Sequence, residues 1–287
     1  MNIKKVMRVL LICAFSINVM AQSPVSPPQD HSDRTQPIEP FHIIDNIYYI
    51  GTTIQSSSYL ITGSEGHILI DSTYEDRVPM MVENIEKLGF NPRDVELIIG
   101  THAHSDHVGG HSVMQEMTGA DILSSAEDKP VVESGNNGSW APAEVNRVIA
   151  GGEVITLGDI SITTHFTPGH TQGTLTFTTT AEEDGQVYDV IILGGLRIAT
   201  TPLIGNPEYP TIAEDLAESF EMLQKIPVDV YLGAHGYWYD LRNKIPRMKA
   251  GEGYRAFIDP QGYREAIDGW QQVFVDMLVK ESKELAR

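Results

Sequence analysis

The sequence predicts an α/β protein, or an α+β protein, in which helices and sheets pack in layers. Three observations support this fold class. The 287 residues are 41% hydrophobic and 21% charged, as in an ordinary soluble globular protein. Short strand-like runs follow one another closely from Phe41, and strands then alternate with amphipathic helices. The length lies at the upper end for one domain, and we expect residues 41–287 to form a single domain.

Residues 1–21 have the layout of a cleavable signal peptide. A basic start is followed by the apolar run Val9 to Phe15, and small Ala21 ends the segment; the cations are Lys4, Lys5 and Arg8. The apolar run is short for a membrane span, which needs about 20 residues. The alternative is an uncleaved anchor. We expect cleavage after Ala21, a periplasmic or secreted protein and no stable membrane anchoring.

Export would change the chemistry of the mature chain. The only cysteine, Cys13, lies within the predicted signal, so the mature protein would have neither a disulfide nor a thiolate ligand. Loss of three cations moves the formal net charge from −19 to −22. Such an acidic chain repels polyanions, which argues against nucleic acid as a partner.

The chain after the signal begins with a polar segment and continues with strands. Residues 22–40 are rich in proline and predict a flexible lead-in. The four runs that follow are separated by turn residues, as in a β-meander; they read FHIID, IYYIGT, SSYLIT and HILID.

Helices and further strands occupy the rest of the sequence. The spacing of apolar residues predicts helices from Arg77 to Leu88, from Thr211 to Lys225 and over residues 260–284. Apolar or alternating runs predict strands at 95–100, 153–156, 159–166, 173–179, 187–193 and 228–233. We see no internal repeat.

The run THAHSDHVGGH, at residues 101–111, is the strongest functional signal. It follows a buried-type strand, and residues i and i+2 of an extended segment point the same way, so His102 and His104 can bind one ion. Asp106 and His107 lie where the chain turns into a helix and can serve a second ion. We expect His111, one helical turn later, to lie in an outer shell or on the surface.

Two later strand ends supply candidate partners for this cluster. His170 follows a strand in TPGHT, and His235 follows another in LGAHG. A single histidine after a strand is usually an ordinary core or surface residue, but the compact H-x-H-x-D-H run makes a metal site the better interpretation. Imidazole with one carboxylate suits zinc, and three protein ligands per ion leave a position for water. His31, His42, His67 and His165 have no such context.

These motifs resemble the metallo-β-lactamase superfamily. THAHSDH, TPGHT and GAHG occur in that family's order and approximate spacing, and the resemblance covers nearly all of residues 41–287. It implies an αβ/βα sandwich of four layers with two Zn²⁺ ions per chain at one edge. The implied ligands are His102, His104 and His170 for the first zinc, and Asp106, His107 and His235 for the second.

Differences between this chain and some groups of the superfamily indicate which group it resembles most. Glyoxalase II, lactonase and phosphodiesterase-like members have a bridging aspartate where this chain has Gly194 and Gly195, and the two larger groups of dizinc β-lactamases use a cysteine near there. The chain is most similar to class B β-lactamases of subclass 3, whose second zinc takes Asp, His and His. The segments GNPEYP, AHGYWYDL and FIDPQGYREAI also fit that subclass.

The resemblance implies a zinc-dependent hydrolase that opens the β-lactam ring of antibiotics by attack of a zinc-bound hydroxide, and hence antibiotic resistance. Asp106 would be catalytic as well as a ligand. Arg197 would replace the Ser or Thr that usually contacts the substrate carboxylate, with Thr200 and Thr201 as further donors; the alternative for Arg197 is a solvated surface residue. Tyr237 would contribute an apolar wall, or else core packing. Two other functions stay open: hydrolysis of a lactone or thioester, and zinc binding without catalysis.

Overall fold

The computed structural model describes residues 35–199 and 201–286. The predicted signal peptide, most of the predicted lead-in, His31 and Thr200 therefore lie outside the described residues. Within the described part, two mixed β-sheets form the centre of the structure, with helices on their outer faces. The predicted fold class is confirmed.

The first sheet has seven strands in the order in which they occur along the chain. Its first four strands form an antiparallel meander, as the closely spaced strand-like runs predict, and the remaining strands pair in parallel. The strands are β1 (Phe41–Ile44), β2 (Ile47–Tyr49), β3 (Tyr59–Gly63), β4 (Gly66–Ile70), β5 (Val95–Ile99), β6 (Asp121–Ser124) and β7 (Arg147–Val148).

The second sheet has five strands, in the order β12-β11-β10-β9-β8. Four of them form an antiparallel meander, and the last strand, β12, pairs in parallel with β11. The strands are β8 (Val154–Leu157), β9 (Ile160–Phe166), β10 (Leu175–Glu183), β11 (Gln186–Leu193) and β12 (Val230–Gly233).

The helices are mostly short, apart from the one at the C-terminus. In that helix Asp259 accepts a hydrogen bond from the backbone N of Gly262 at 2.9 Å, and Pro260 occupies the first position, so the start is well capped. The helices are α1 (Val78–Lys87), α2 (Ser105–Val108), α3 (His111–Thr118), α4 (Lys129–Gly138), α5 (Ile212–Leu223), α6 (Leu241–Arg247) and α7 (Pro260–Leu285).

The central strands of the first sheet are apolar on both faces. Neighbours such as Leu60 and Ile61 or Ile98 and Ile99 point to opposite sides. Leu60 and Ile98 join the cluster beneath α1 and α3, whereas Ile61 and Ile99 join the larger cluster that includes the second sheet, α5 and α7. Each fully buried side chain of this size contributes about 1.5–3 kcal/mol. The result is a four-layer arrangement of helices, sheet, sheet and helices.

The lead-in and several elements differ in extent from the sequence prediction. The backbone N of Thr53 donates to Gln36 O at 3.1 Å, and the Asn84 amide donates to Ile38 O at 3.3 Å, so the packed chain begins before Phe41. Strands β6 and β7 and helices α4 and α6 have no counterpart in the prediction. The three predicted helices and the later strands are confirmed within a few residues.

Candidate metal centre

Four of the candidate ligands lie where the chain leaves β5. The backbone N of His104 donates to His102 O at 2.9 Å, and the backbone N of His107 donates to His104 O at 3.0 Å. These bonds turn the chain sharply into α2, which contains Asp106 and His107. His102 and His107 are buried, whereas His104 and Asp106 remain partly exposed.

The other two ligands come from the second sheet. His170 lies on the turn after β9, where the preceding Gly169 has φ +138°. A Cβ on Gly169 would lie 2.4 Å from the Leu216 side chain, so this tight approach to α5 requires glycine. His235 lies two residues after Gly233, the last residue of β12. The carboxyl ends of strands from both sheets therefore deliver all six side chains to one edge of the fold.

The six side chains form two groups of three. One group is His102, His104 and His170, and the other is Asp106, His107 and His235. Within each group the potential ligand atoms lie within 4.8 Å of one another. The groups adjoin, because the ring centroids of His102 and His107 are 4.1 Å apart. Each group combines residues from the first sheet with one histidine from the second.

Short hydrogen bonds to outer partners orient three of the imidazoles, and a fourth, His102, has its Nδ1 3.2 Å from Thr101 Oγ1. Nδ1 of His107 lies 2.7 Å from Asp71 Oδ2, and Nδ1 of His170 donates to Arg197 O at 2.6 Å. Nδ1 of His235 donates to the backbone carbonyl of Gln55. With Nδ1 occupied, Nε2 of each ring is the nitrogen left to bind a metal.

Unpaired nitrogens support a metal in this position. Nε2 of His102 and Nε2 of His107 are buried and have no hydrogen-bond partner among the described residues. Buried polar atoms without a partner are uncommon in folded proteins. Five imidazoles and one carboxylate, arranged in two groups, fit a dinuclear metal site.

The protonation states also suit metal ligands. Burial and the neighbouring imidazoles lower the pKa of His102 and His104, and lower the pKa of His170 and His235 to about 3. These rings are therefore neutral at neutral pH, as a ligand must be.

Asp106 and His107, both in the second group, shift each other's pKa. Burial acts to raise the pKa of Asp106, but the His107 and His235 imidazoles and the Gln55 amide outweigh it and lower that pKa. Burial acts to lower the pKa of His107, but Asp106 and Asp71 outweigh it and raise that pKa. Asp106 is consequently ionised throughout the physiological range, and a metal must displace a proton from His107 more often than from the other histidines.

Three residues at this edge were missed by sequence reasoning. Asp71 follows β4 directly, so the rule that singles out residues after strands could have found it. Gln55 lies in the loop between β2 and β3, where a polar residue carries no signal. Asp128 is buried and accepts a hydrogen bond from the backbone N of Ala103 at 2.8 Å, and burial raises its pKa to about 6. Its sequence context, SSAEDKP, looks like an exposed polar loop.

The described residues that were expected to contact substrate differ in exposure and in their contacts. Arg197 is exposed, and its own backbone carbonyl accepts from His170. Thr201 is exposed as well. Tyr237 is only 6% exposed and stacks on His235 with ring centroids 5.1 Å apart, so most of its ring packs against a ligand.

The other histidines of the described residues make local contacts outside the two groups. His111 is buried, with Nδ1 2.7 Å from Ser72 Oγ, in an outer position behind the His107 backbone. His42 Nε2 bonds Asp45 O at 2.7 Å, and His165 Nε2 bonds Thr178 Oγ1 at 2.7 Å. His67 packs edge-on against Phe90. None belongs to either group of three.

No helix within the described residues combines the length and apolar character that a membrane crossing requires.

Comparison with known proteins places this arrangement among metal-dependent hydrolases. A family model described as the metallo-beta-lactamase superfamily matches residues 51–235. Among curated relatives, a hydroxyacylglutathione hydrolase of Maricaulis maris is 33% identical over 76 residues, which are 26% of this chain. The chain spans 26% of that relative's length.

Solved structures match over a much larger part of the chain. The native FEZ-1 metallo-beta-lactamase of Legionella gormanii is similar with a TM-score of 0.83 and 34% identity, covering 86% of this chain and 98% of that one. BJP-1, a subclass B3 metallo-beta-lactamase of Bradyrhizobium japonicum, has a TM-score of 0.81 and 33% identity, covering 88% and 98%.

Proposed function

Since this chain belongs to the metallo-β-lactamase superfamily, we propose that it is a zinc-dependent β-lactamase of the subclass B3 type. The observation that carries the proposal is the composition of the second group, Asp106 with His107 and His235. The similarity to FEZ-1 and BJP-1 over nearly their whole length supports it. The same six residues, His102, His104 and His170 together with this second group, are the proposed ligands of two zinc ions.

The strand end at Gly194 and Gly195 supports a β-lactamase over a glyoxalase-type hydrolase. The latter proteins have a bridging aspartate near this position. A Cβ on Gly194 would lie 1.7 Å from Leu175 O, and a Cβ on Gly195 would lie 3.1 Å from the His170 ring. An acidic side chain at Gly194 would need the backbone to move, so the two groups are bridged by no acid from this strand.

The residues of the site have distinct tasks in ring opening. Bound zinc ions lower the pKa of water from 15.7 to about 7 and polarise a carbonyl oxygen. Asp106, ionised at neutral pH, accepts a hydrogen bond and so orients a water molecule for attack. The neutral imidazoles contribute lone pairs without adding charge. Outer bonds from Asp71, Arg197 O and Gln55 O hold three of those rings in place before substrate arrives.

Recognition of the substrate carboxylate is assigned to Arg197. Arg197 is exposed, its backbone carbonyl accepts a hydrogen bond from His170 of the first group, and a guanidinium can form two parallel bonds to a carboxylate. Thr201 is a further donor in the same segment, and Thr200 is proposed with it on sequence grounds alone. Tyr237 provides apolar surface through the small exposed part of its ring, next to His235.

A thioester hydrolase is the alternative within the family, because hydroxyacylglutathione hydrolases are among the relatives. The test is a hydrolysis panel with and without chelator, containing a penicillin, a cephalosporin, a carbapenem, a homoserine lactone and a glutathione thioester. We expect chelator-sensitive opening of β-lactams. Turnover of the lactone or thioester with inert β-lactams would favour the alternative, and bound zinc with no turnover of any compound would indicate a non-catalytic protein.

Export is part of the proposal. Residues 1–21 are proposed as a cleaved signal, residues 22–40 as a lead-in whose last part packs on the domain, and residues 41–287 as one catalytic domain, acting in the periplasm or outside the cell. Expression of the full chain in a Gram-negative host tests this. We expect the mature protein in the periplasmic fraction, with Gln22 as its first residue.

A further inference from the structure

Gln55 lies in a loop of the first sheet that contacts the end of β12, in the second sheet, at the metal centre. The loop spans residues 51–58 between β2 and β3 and closes on itself through main-chain bonds from Ile50 N to Ser58 O and from Thr52 N to Ser56 O, both 3.0 Å. The backbone N of Ser57 also donates to Ala234 O at 3.0 Å. The loop is therefore fixed against the residue that precedes His235.

Gln55 contacts two of the three side chains in the second group. Its backbone carbonyl accepts from Nδ1 of His235, and its side-chain Nε2 donates to Oδ2 of Asp106 at 3.2 Å. Since Nδ1 of His235 already carries the proton shared with the carbonyl, the nearby amide nitrogen of Gln55 has Asp106 as its acceptor. The third member, His107, is oriented by Asp71 instead.

The chemistry of the site fixes the orientation of the Gln55 amide. Oε1 is buried and has no hydrogen-bond partner among the described residues. Exchanging Oε1 and Nε2 would place the amide oxygen against the Asp106 carboxylate, and two acceptors repel each other. The NH₂ group therefore faces Asp106. This bond uses only one lone pair of Asp106 Oδ2, so the same oxygen has a second lone pair that can bind a metal ion.

No hydrogen bond of Gln55 within the described residues reaches the first group. Nδ1 of His102 lies 3.2 Å from Thr101 Oγ1, and Nδ1 of His170 donates to Arg197 O. The outer contacts of the first group therefore do not involve Gln55. An effect of the Gln55 side chain on metal binding should consequently fall on one group and spare the other.

From these contacts we infer that Gln55 is a positioning residue that sets the affinity of the second group for its metal ion. The inference rests on the proposed ligand roles of Asp106, His107 and His235. The amide holds the carboxylate in the rotamer that faces His107 and His235, so less side-chain freedom is lost when the ion binds. Removing the amide leaves the backbone bond to His235 intact and isolates the contribution of the Asp106 contact.

The test is a zinc titration of the chelator-treated full chain against a chromophoric competitor. The wild type should bind two ions. In Q55L the dissociation constant of the second group should rise by about 10–100-fold, the usual cost of losing an outer-shell partner, while that of the first group stays within about twofold. The variant H235N identifies which constant belongs to the second group. The matched control is Q261L, the same replacement at an exposed glutamine of α7 whose amide donates to Glu265 Oε1 at 2.7 Å; both of its constants should be unchanged.

Each result of this titration bears on the inference. Equal losses at both groups in Q55L, or no loss at the second, would overturn the role of Gln55 while the ligand proposal stands. A wild type that binds fewer than two ions would contradict the ligand proposal and the inference with it. If circular dichroism shows that Q55L is unfolded, Q55N is used instead. The asparagine side chain is one methylene shorter, so its amide does not reach Asp106.

Discussion

Nδ1 of His107 lies 2.7 Å from Oδ2 of Asp71, and both side chains are buried. The Asp71 carboxylate also accepts from the backbone N of Thr101 at 2.6 Å and from Thr101 Oγ1 at 2.8 Å. One carboxylate at the end of β4 thus holds both the loop that starts the ligand run and a ligand within that run.

Replacing Asp71 by asparagine should affect both stability and metal binding. All three partners of the carboxylate are donors, so the amide nitrogen introduced by D71N would face a donor and leave it unpaired, at a cost of about 1–3 kcal/mol in the free energy of unfolding. Metal affinity at the second group should fall by about 10–100-fold. Urea denaturation of the chelator-treated protein and a zinc titration measure the two effects. D121N, at an exposed aspartate, is the control and should change neither.

Replacing His170 by alanine should remove the metal of the first group. An outer-shell partner alone is worth about 10–100-fold in affinity or activity, so loss of a ligand should reduce hydrolysis by at least about 100-fold. Metal content by mass spectrometry should drop from two ions per chain to one. H42A is the control, because His42 is exposed and distant in sequence from both groups. Unchanged zinc in H170A would remove His170 from the ligand set.

Replacing Arg197 by alanine should weaken binding of β-lactams through their carboxylate. The contact exists before and during ring opening, so the loss should appear in KM, and kcat should change little. Since the guanidinium is exposed, we expect a loss of about tenfold or less in kcat/KM, near the lower end for a charge-assisted bond. Steady-state kinetics on a β-lactam and on the same compound with its carboxylate esterified measure this contact. R197A should not impair hydrolysis of the ester. An equal loss on both compounds would indicate a different role.

The metal-free protein should become less stable as the pH falls below about 6.5. The pKa of His170 and His235 is about 3 in the folded chain and about 6.5 when unfolded, so below pH 6.5 the unfolded state binds more protons. The stability they contribute is present above 6.5 and is lost progressively towards pH 3. Each should account for up to about 2 kcal/mol between pH 6.5 and 5. His107, whose pKa is raised, acts in the opposite direction.

Urea denaturation at pH 7.5, 6.0 and 5.0 measures this dependence. H170A should show a smaller decrease than the wild type over the same range, because one of the groups has been removed. Parallel decreases in the two proteins would contradict the assignment of the effect to His170.

The sequence predicted the parts of the fold and site that depend on regular spacing. The alternation that places His102 and His104 on one side, and the rule that strand ends converge, led to two groups that the structure does bring together. Long apolar patterns such as that of α7 were equally informative. In each case the signal is contained in neighbouring residues.

Other parts depend on contacts between residues far apart in sequence. Strand β7 is only two residues long, and α4 ends in left-handed residues such as Asn136, so neither has a readable period. Helix α6 contains Pro246, a residue that argues against a helix. Asp128 and Gln55 acquire their significance from Ala103 and Asp106, partners that no local pattern reveals.

Because each group of ligands draws on both sheets, the order of synthesis limits when ions can be captured. A growing polypeptide completes its first set of donors only at residue 170, and the second only at residue 235 of 287. Any fragment released between those two points, however well it folds, lacks one imidazole for the second ion. If these six residues are the ligands, as proposed, a chain that holds both ions has also packed its two sheets together.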